Sequence, residues 1–157
     1  MTHEYNATIV WARGDAAFTD NRYSRGHTWK FDGLEVPGSS APSSVRLPYS
    51  VAEAVDPEEA LVAAVSSCHM LFFLAFAAKE GFVVDRYEDA AHGVMTKNEN
   101  GKLYVSTITL NPAVTFSGAK RPTQADIDTL HHRSHEECFI ANSVKSEIVV
   151  NPTFSFA

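Results

Sequence analysis

Hydrophobic and polar positions divide the chain into one long apolar block flanked by shorter segments of mixed character. The block runs from Ala60 to Ala78 (ALVAAVSSCHMLFFLAFAA), nineteen residues without a formal charge. Apolar residues fall on nearly every face of a helix drawn through it, which predicts a helix enclosed by protein on most sides. Just before it, Asp56-Pro57-Glu58-Glu59 offers an Asp as N-cap, a Pro at the first helical position and a Glu at the third to reach back. Lys79-Glu80-Gly81 then supplies a cation and a left-handed cap, so the helix is predicted to run to about Glu80.

The flanking pattern is β-like. Tyr5 to Trp11 alternates loosely, Thr28 to Phe31 is a short strand candidate, and Asp32-Gly33 marks a turn. Val36 to Pro48 (VPGSSAPSSVRLP) is interrupted by prolines and serines and reads as an exposed loop. Phe82 to Lys97 and Leu103 to Phe116 read as two long antiparallel strands, joined by a hairpin at Asn98-Glu99-Asn100-Gly101. Thr123, with Asp126 three residues on, starts a second helix whose inner face carries Ile127, Leu130 and Ser134; Val144 to Asn151 is a last strand. The order β, β, helix, β, β, helix, β is an α+β pattern with antiparallel sheet on one side of a long buried helix. No linker or repeat interrupts it, and 157 residues suit a single domain over 1–157.

Composition sharpens this reading. Hydrophobic residues at 45% and charged residues at 20% describe a globular chain rather than a disordered one. Thirteen Lys and Arg against nineteen Asp and Glu give a net charge of -6, which repels phosphate backbones and anionic membranes, so no nucleic-acid partner is expected. The apolar block approaches the length of a membrane span, but Ser66, Ser67 and His69 stand at its midpoint and no basic flank precedes it; it is read as a protein-enclosed helix. A chain this short has few elements with which to enclose it, which favours a homodimer with a second copy against the helix. Two cysteines and an N-terminus lacking a basic or apolar leader point to the cytoplasm.

Candidate chemistry centres on those cysteines. Cys68 lies inside the apolar helix, where Ser66, Ser67, Cys68 and His69 interrupt a segment that otherwise excludes polar groups. Cys138 closes the polar run His131 to Glu137. Either can be a buried small hydrophobe. His131, His135 and Cys138 share one helical face and form an alternative metal-binding set, although paired zinc-motif spacing is missing. His69 points about 100° away from Cys68 around the helix, which predicts packing or hydrogen bonding elsewhere rather than a catalytic base.

The stretch Asp56 to Met70 (DPEEALVAAVSSCHM) resembles the first-cysteine signature of the OsmC/Ohr superfamily: an Asn/Asp-Pro-Glu-Glu/Gln start, a small-residue helix, and a cysteine ten positions after the first Glu. Cys138 to Val144 (CFIANSV) is similar to the family's second-cysteine segment. The resemblance implies an intertwined homodimer of OsmC-like fold, with antiparallel sheets around long buried central helices. It also implies a thiol peroxidase for organic hydroperoxides, with Cys68 peroxidatic and Cys138 resolving, regenerated by an external dithiol of lipoyl or thioredoxin type, without a cofactor. An arginine would hold the Cys68 thiolate. Arg25, thirty-three residues before Glu58, resembles the placement in the Ohr branch, and Arg46, twelve before it, that in the OsmC branch. Glu58 and Cys68 stand ten rises apart, roughly 15 Å on a straight helix, so a Glu58 that orients this arginine would come from the other subunit. The alternative is a non-enzymatic protein of the same fold that binds a ligand or senses oxidants.

Overall fold

The start signals at residues 56–59 act as the sequence predicts. In the computed structural model, which describes residues 1–157, helix α1 spans Pro57–Lys79. The Glu59 N–H donates to the Asp56 carboxylate at 2.8 Å, and the Asp56 N–H donates back to the Glu59 carboxylate at 3.3 Å. At the far end Gly81 adopts φ +80°, and the N–H groups of Gly81 and Phe82 close back onto the carbonyls of Ala78 and Ala77. That pair of bonds is a Schellman cap.

The chain forms two compact units, Met1–Ala60 and Leu61–Ala157. In the first, strands β1 (Thr8–Val10), β2 (His27–Lys30) and β3 (Glu35–Gly38) make an antiparallel sheet in that order. The predicted turn at Asp32-Gly33 joins β2 to β3, with Gly33 at φ +82°. Val36 to Pro48 is an exposed loop over 42–44 and 46–48, as expected, but its first residues depart from that reading. Val36, Pro37 and Gly38 pair with β2, and Ser39 is fully buried, its hydroxyl accepting from the Val51 N–H at 2.9 Å. At Ser39 the polarity marks a hydroxyl that satisfies neighbouring backbone rather than contact with water. Pro37 is tolerated because β3 is an edge strand.

In the second unit, β4 (Val83–Asp89) and β5 (His92–Lys97) replace the first expected long strand, and β6 (Leu103–Leu110) and β7 (Pro112–Ser117) replace the second. Helix α2 (Gln124–Glu137) follows, then a single 3-10 turn (Ala141–Ser143), β8 (Glu147–Val150) and β9 (Thr153–Phe156). The order is β4-β7-β9 in one sheet and β5-β6-β8 in the other. The hairpin partners are antiparallel as expected, while β8 and β9 add in parallel to β6 and β7. All three strand runs break at one level, at Ala90-Ala91, Asn111 and Asn151-Pro152. The predicted turn before β6 is present, with Gly101 at φ +73°.

Two clusters form the core of this unit. Phe73 and Ala77 of α1 pack with Phe82, Val114, Phe116, Ile127 and Leu130, and Val65 packs with Ile108 and Leu110. Helix α2 starts at a full capping box between Thr123 and Asp126 and buries Ile127, Leu130 and Ser134 as predicted, together with His131. Along α1 only Val65, His69, Phe73 and Ala77 are buried, one stripe at a spacing of four. The enclosure expected for this helix is therefore incomplete within one chain.

Candidate active site

Each member of the polar interruption in α1 has a separate destination. The Ser66 hydroxyl donates to the Asp89 carboxylate at 2.5 Å, and the other oxygen of that carboxylate accepts from the Asn111 N–H at 2.6 Å. Ser66 thus ties the helix to the level where the strands break. Ser67 is exposed. His69 is buried, with its Nε2 3.0 Å from His131 Nδ1, and the two rings stack at 5.3 Å and 9°. Burial first, then the nearby His135, lowers the pKa of His69 to about 4, against an opposing pull from Asp89. His131 is likewise lowered to about 4 by burial and by His69. Both rings are neutral at pH 7, and His69 is packed away from Cys68 as its helical angle predicts.

Cys68 is half-buried, and its thiol adjoins that of Cys138, which caps the C-terminal end of α2 and is fully buried. Both are free thiols. Burial pushes the Cys138 pKa up to about 11 and the neighbouring Cys68 adds to this, while the backbone N–H groups of Ala141 and Ile140 act in the opposite sense. The Ala141 N–H lies 3.3 Å from Cys138 Sγ. Asn142 holds the turn in place, its Nδ2 donating to the carbonyls of Glu136 at 2.8 Å and Cys138 at 3.1 Å. Phe72 meets the exposed Phe139 edge-on at 5.1 Å beside this pair, whereas Phe73 belongs to the core and stacks on His131. His131, His135 and Cys138 do not converge into a group able to share a metal.

The other candidate residues lie in the first unit. Arg25 and Glu58 line one open cavity of about 470 Å³, walled by Trp11, Phe18 and Tyr23. The Arg25 guanidinium lies 3.8 Å over the Tyr23 ring and donates to the backbone and side-chain oxygens of Asn21 at 3.0 and 2.7 Å. Asn21 presents those oxygens from a left-handed conformation at φ +65°. His27 is fixed as the Nδ1–H tautomer, since Nδ1 faces the Arg25 carbonyl at 2.7 Å and Nε2 accepts from Trp29 Nε1 at 2.6 Å. A side chain at Gly38 would collide with Trp29 and His27, so glycine is required there. Arg46 is not in the cavity lining and sits 6.0 Å over Tyr49.

Sequence reasoning missed Asn21, Asp89, His131 as the partner of His69, and Asn142. Asn111-Pro112, a turn-forming pair inside a β run, was the one readable signal for the strand break. The model of the OsmC-like protein family matches residues 50–153, which take in Glu58, Cys68 and Cys138 and leave out Arg25 and Arg46. The chain belongs to the OsmC-like family. Among solved structures, an OsmC-like protein of unknown function from Vibrio cholerae is 49% identical, with a TM-score of 0.95 over 97% of this chain and all of that one. An organic hydroperoxide resistance protein from Elizabethkingia anophelis shares the fold at 17% identity, with a TM-score of 0.67 over 100% of this chain and 99% of the other. Another from Bacillus subtilis shares it at 15% identity, with a TM-score of 0.59 over 98% of each chain. No curated protein matches the sequence. This OsmC-like chain thus has the α+β fold of its relatives, which include proteins of hydroperoxide resistance.

Proposed function

We propose that this OsmC-like chain is a cysteine-dependent peroxidase that reduces organic hydroperoxides in defence against oxidative stress. The observation that carries the reading is the placement of two free thiols side by side, one half-exposed on α1 and the other sealed at the end of α2. The Cys68 thiolate attacks the terminal oxygen of the hydroperoxide, the O–O bond breaks, and the alkoxide leaves as the alcohol after taking a proton. Cys68 is left as a sulfenic acid. The Cys138 sulfur then attacks the Cys68 sulfur, an S–S bond forms, and water leaves. An external dithiol, lipoyl or thioredoxin in type, returns both thiols.

An arginine beside Cys68 would hold the thiolate and donate to the peroxide. Arg25 suits this role better than Arg46, because its guanidinium is stacked and aimed by Asn21 while sharing a cavity with Glu58. The rise along α1 keeps Glu58 roughly 15 Å from Cys68. The functional unit is therefore a cytoplasmic homodimer in which the Arg25 and Glu58 serving one Cys68 come from the second copy.

Peroxide consumption with dithiothreitol as reductant tests the reading. Wild type is expected to turn over an organic hydroperoxide, Cys68→Ser to lose turnover altogether, and Arg25→Ala to fall by 100-fold or so, within the usual range for a group that stabilises reacting charge (about 10²–10³). Intact mass after one equivalent of hydroperoxide should fall by two hydrogens. Unmodified thiols would instead favour a binding protein using the aromatic cavity around Trp11, Phe18 and Tyr23.

A further inference from the structure

The two sulfurs differ in what surrounds them, and the difference bears on how a disulfide between them would be reopened. Cys68 is half-buried on α1, while Cys138 is closed off completely by its own chain. Thiol–disulfide exchange requires the attacking thiolate, the attacked sulfur and the leaving sulfur to lie in line. Cys138 offers an incoming thiol no exposed surface at all, whereas Cys68 does. The leaving sulfur, conversely, needs donors to receive its developing negative charge. At Cys138 the Ala141 N–H points at Sγ from 3.3 Å, which offsets part of the burial that otherwise disfavours a thiolate there.

We propose that a dithiol reductant opens the Cys68–Cys138 disulfide at the Cys68 sulfur, and that Cys138 leaves as a thiolate received by the backbone N–H group of Ala141. The direction rests on the reading that these two cysteines form the redox pair, but not on peroxide being the oxidant. One reductant thiolate forms an S–S bond with Cys68, and the electron pair of the broken bond goes to Cys138 Sγ, which then takes a proton. The second thiolate of the reductant attacks its own sulfur in the mixed disulfide. Cys68 leaves as the thiolate, and the reductant departs as its cyclic disulfide. The half-exposed sulfur thus serves both halves of the cycle, meeting the oxidant and then the reductant, while Cys138 never meets either.

The test bypasses peroxide. Reduced protein is bridged with diamide, exposed briefly to excess cysteamine, quenched in acid, alkylated and mapped by peptide mass spectrometry. Cysteamine is expected on the Cys68 peptide, with Cys138 alkylated, at a ratio of ten to one or more. Cysteamine on Cys138, or equally on both, would overturn the proposal, as would failure of diamide to bridge the pair. A protein that bridges with diamide and takes cysteamine at Cys68, yet does not react with hydroperoxide, would sustain this direction while refuting the peroxidase.

Discussion

His69 shows how a single residue can be half legible. Its position one step past Cys68 predicts that it points elsewhere, and it does; that its partner is His131, sixty-two residues away, was not encoded in any local pattern. The pair also makes stability depend on pH in a defined sense. Both rings titrate near 4 when folded, chiefly because burial disfavours their charged forms, against an ordinary value of 6.5. Between those values the unfolded chain binds protons that the folded chain refuses, so stability is complete above pH 6.5 and is lost as pH falls toward 4. The loss is on the order of a few kcal/mol for the two rings together. Urea midpoints measured from pH 7.5 to 4.5 should fall steeply in wild type and more shallowly in His131→Asn, which keeps a hydrogen-bonding group without a titrating ring. Equal slopes would mean that the pair does not control the acid limb.

At the scale of elements, the signals that survived from sequence to structure are those in which a few adjacent residues satisfy their own backbone. Asp56 and Glu59 cap α1, Thr123 and Asp126 cap α2, and Gly81 closes the end of α1. Replacing Asp56 with Ala should lower stability by about 1 kcal/mol, read as a drop in the thermal midpoint without loss of helix content. The strand breaks were harder to read, because they depend on contacts across the sheet. Asp89 accepts from Ser66 and from the Asn111 N–H, and Asn111 donates its side-chain amide to the Ala90 carbonyl at 3.0 Å. An acid at the end of a β run signals little alone; joined to Asn111-Pro112 it marks where both strands change sheet. Asp89→Ala leaves the Ser66 hydroxyl and the Asn111 N–H without their acceptor. It is expected to cost about 1–3 kcal/mol, measured by urea unfolding, and to cost less when combined with Ser66→Ala than the sum of the two single changes.

For the molecule as a whole, the decisive feature is what one chain leaves open on α1. The buried stripe of Val65, His69, Phe73 and Ala77 accounts for a single face, while Ala64, Leu71, Ala75 and Ala78 are exposed on a helix with no charge between Glu59 and Lys79. Leu71 alone is 60% exposed. An apolar helical face of this kind gains free energy by leaving water, at roughly 25 cal/mol per Å². Its small side chains allow another helix to approach closely, and a two-fold axis would bring the same face of a second copy against it. The chain length and apolar pattern had already suggested such an arrangement. Sedimentation equilibrium should therefore give twice the chain mass at micromolar concentration. Leu71→Asp would place a charge on this exposed apolar face, and it is expected to shift the mass toward the single chain and lower the thermal midpoint. Hydroperoxide turnover should fall with it if, as proposed, the Arg25 and Glu58 that serve each Cys68 come from the second copy. A Leu71→Asp protein that sediments as a single chain yet keeps full turnover would place the complete site within one chain.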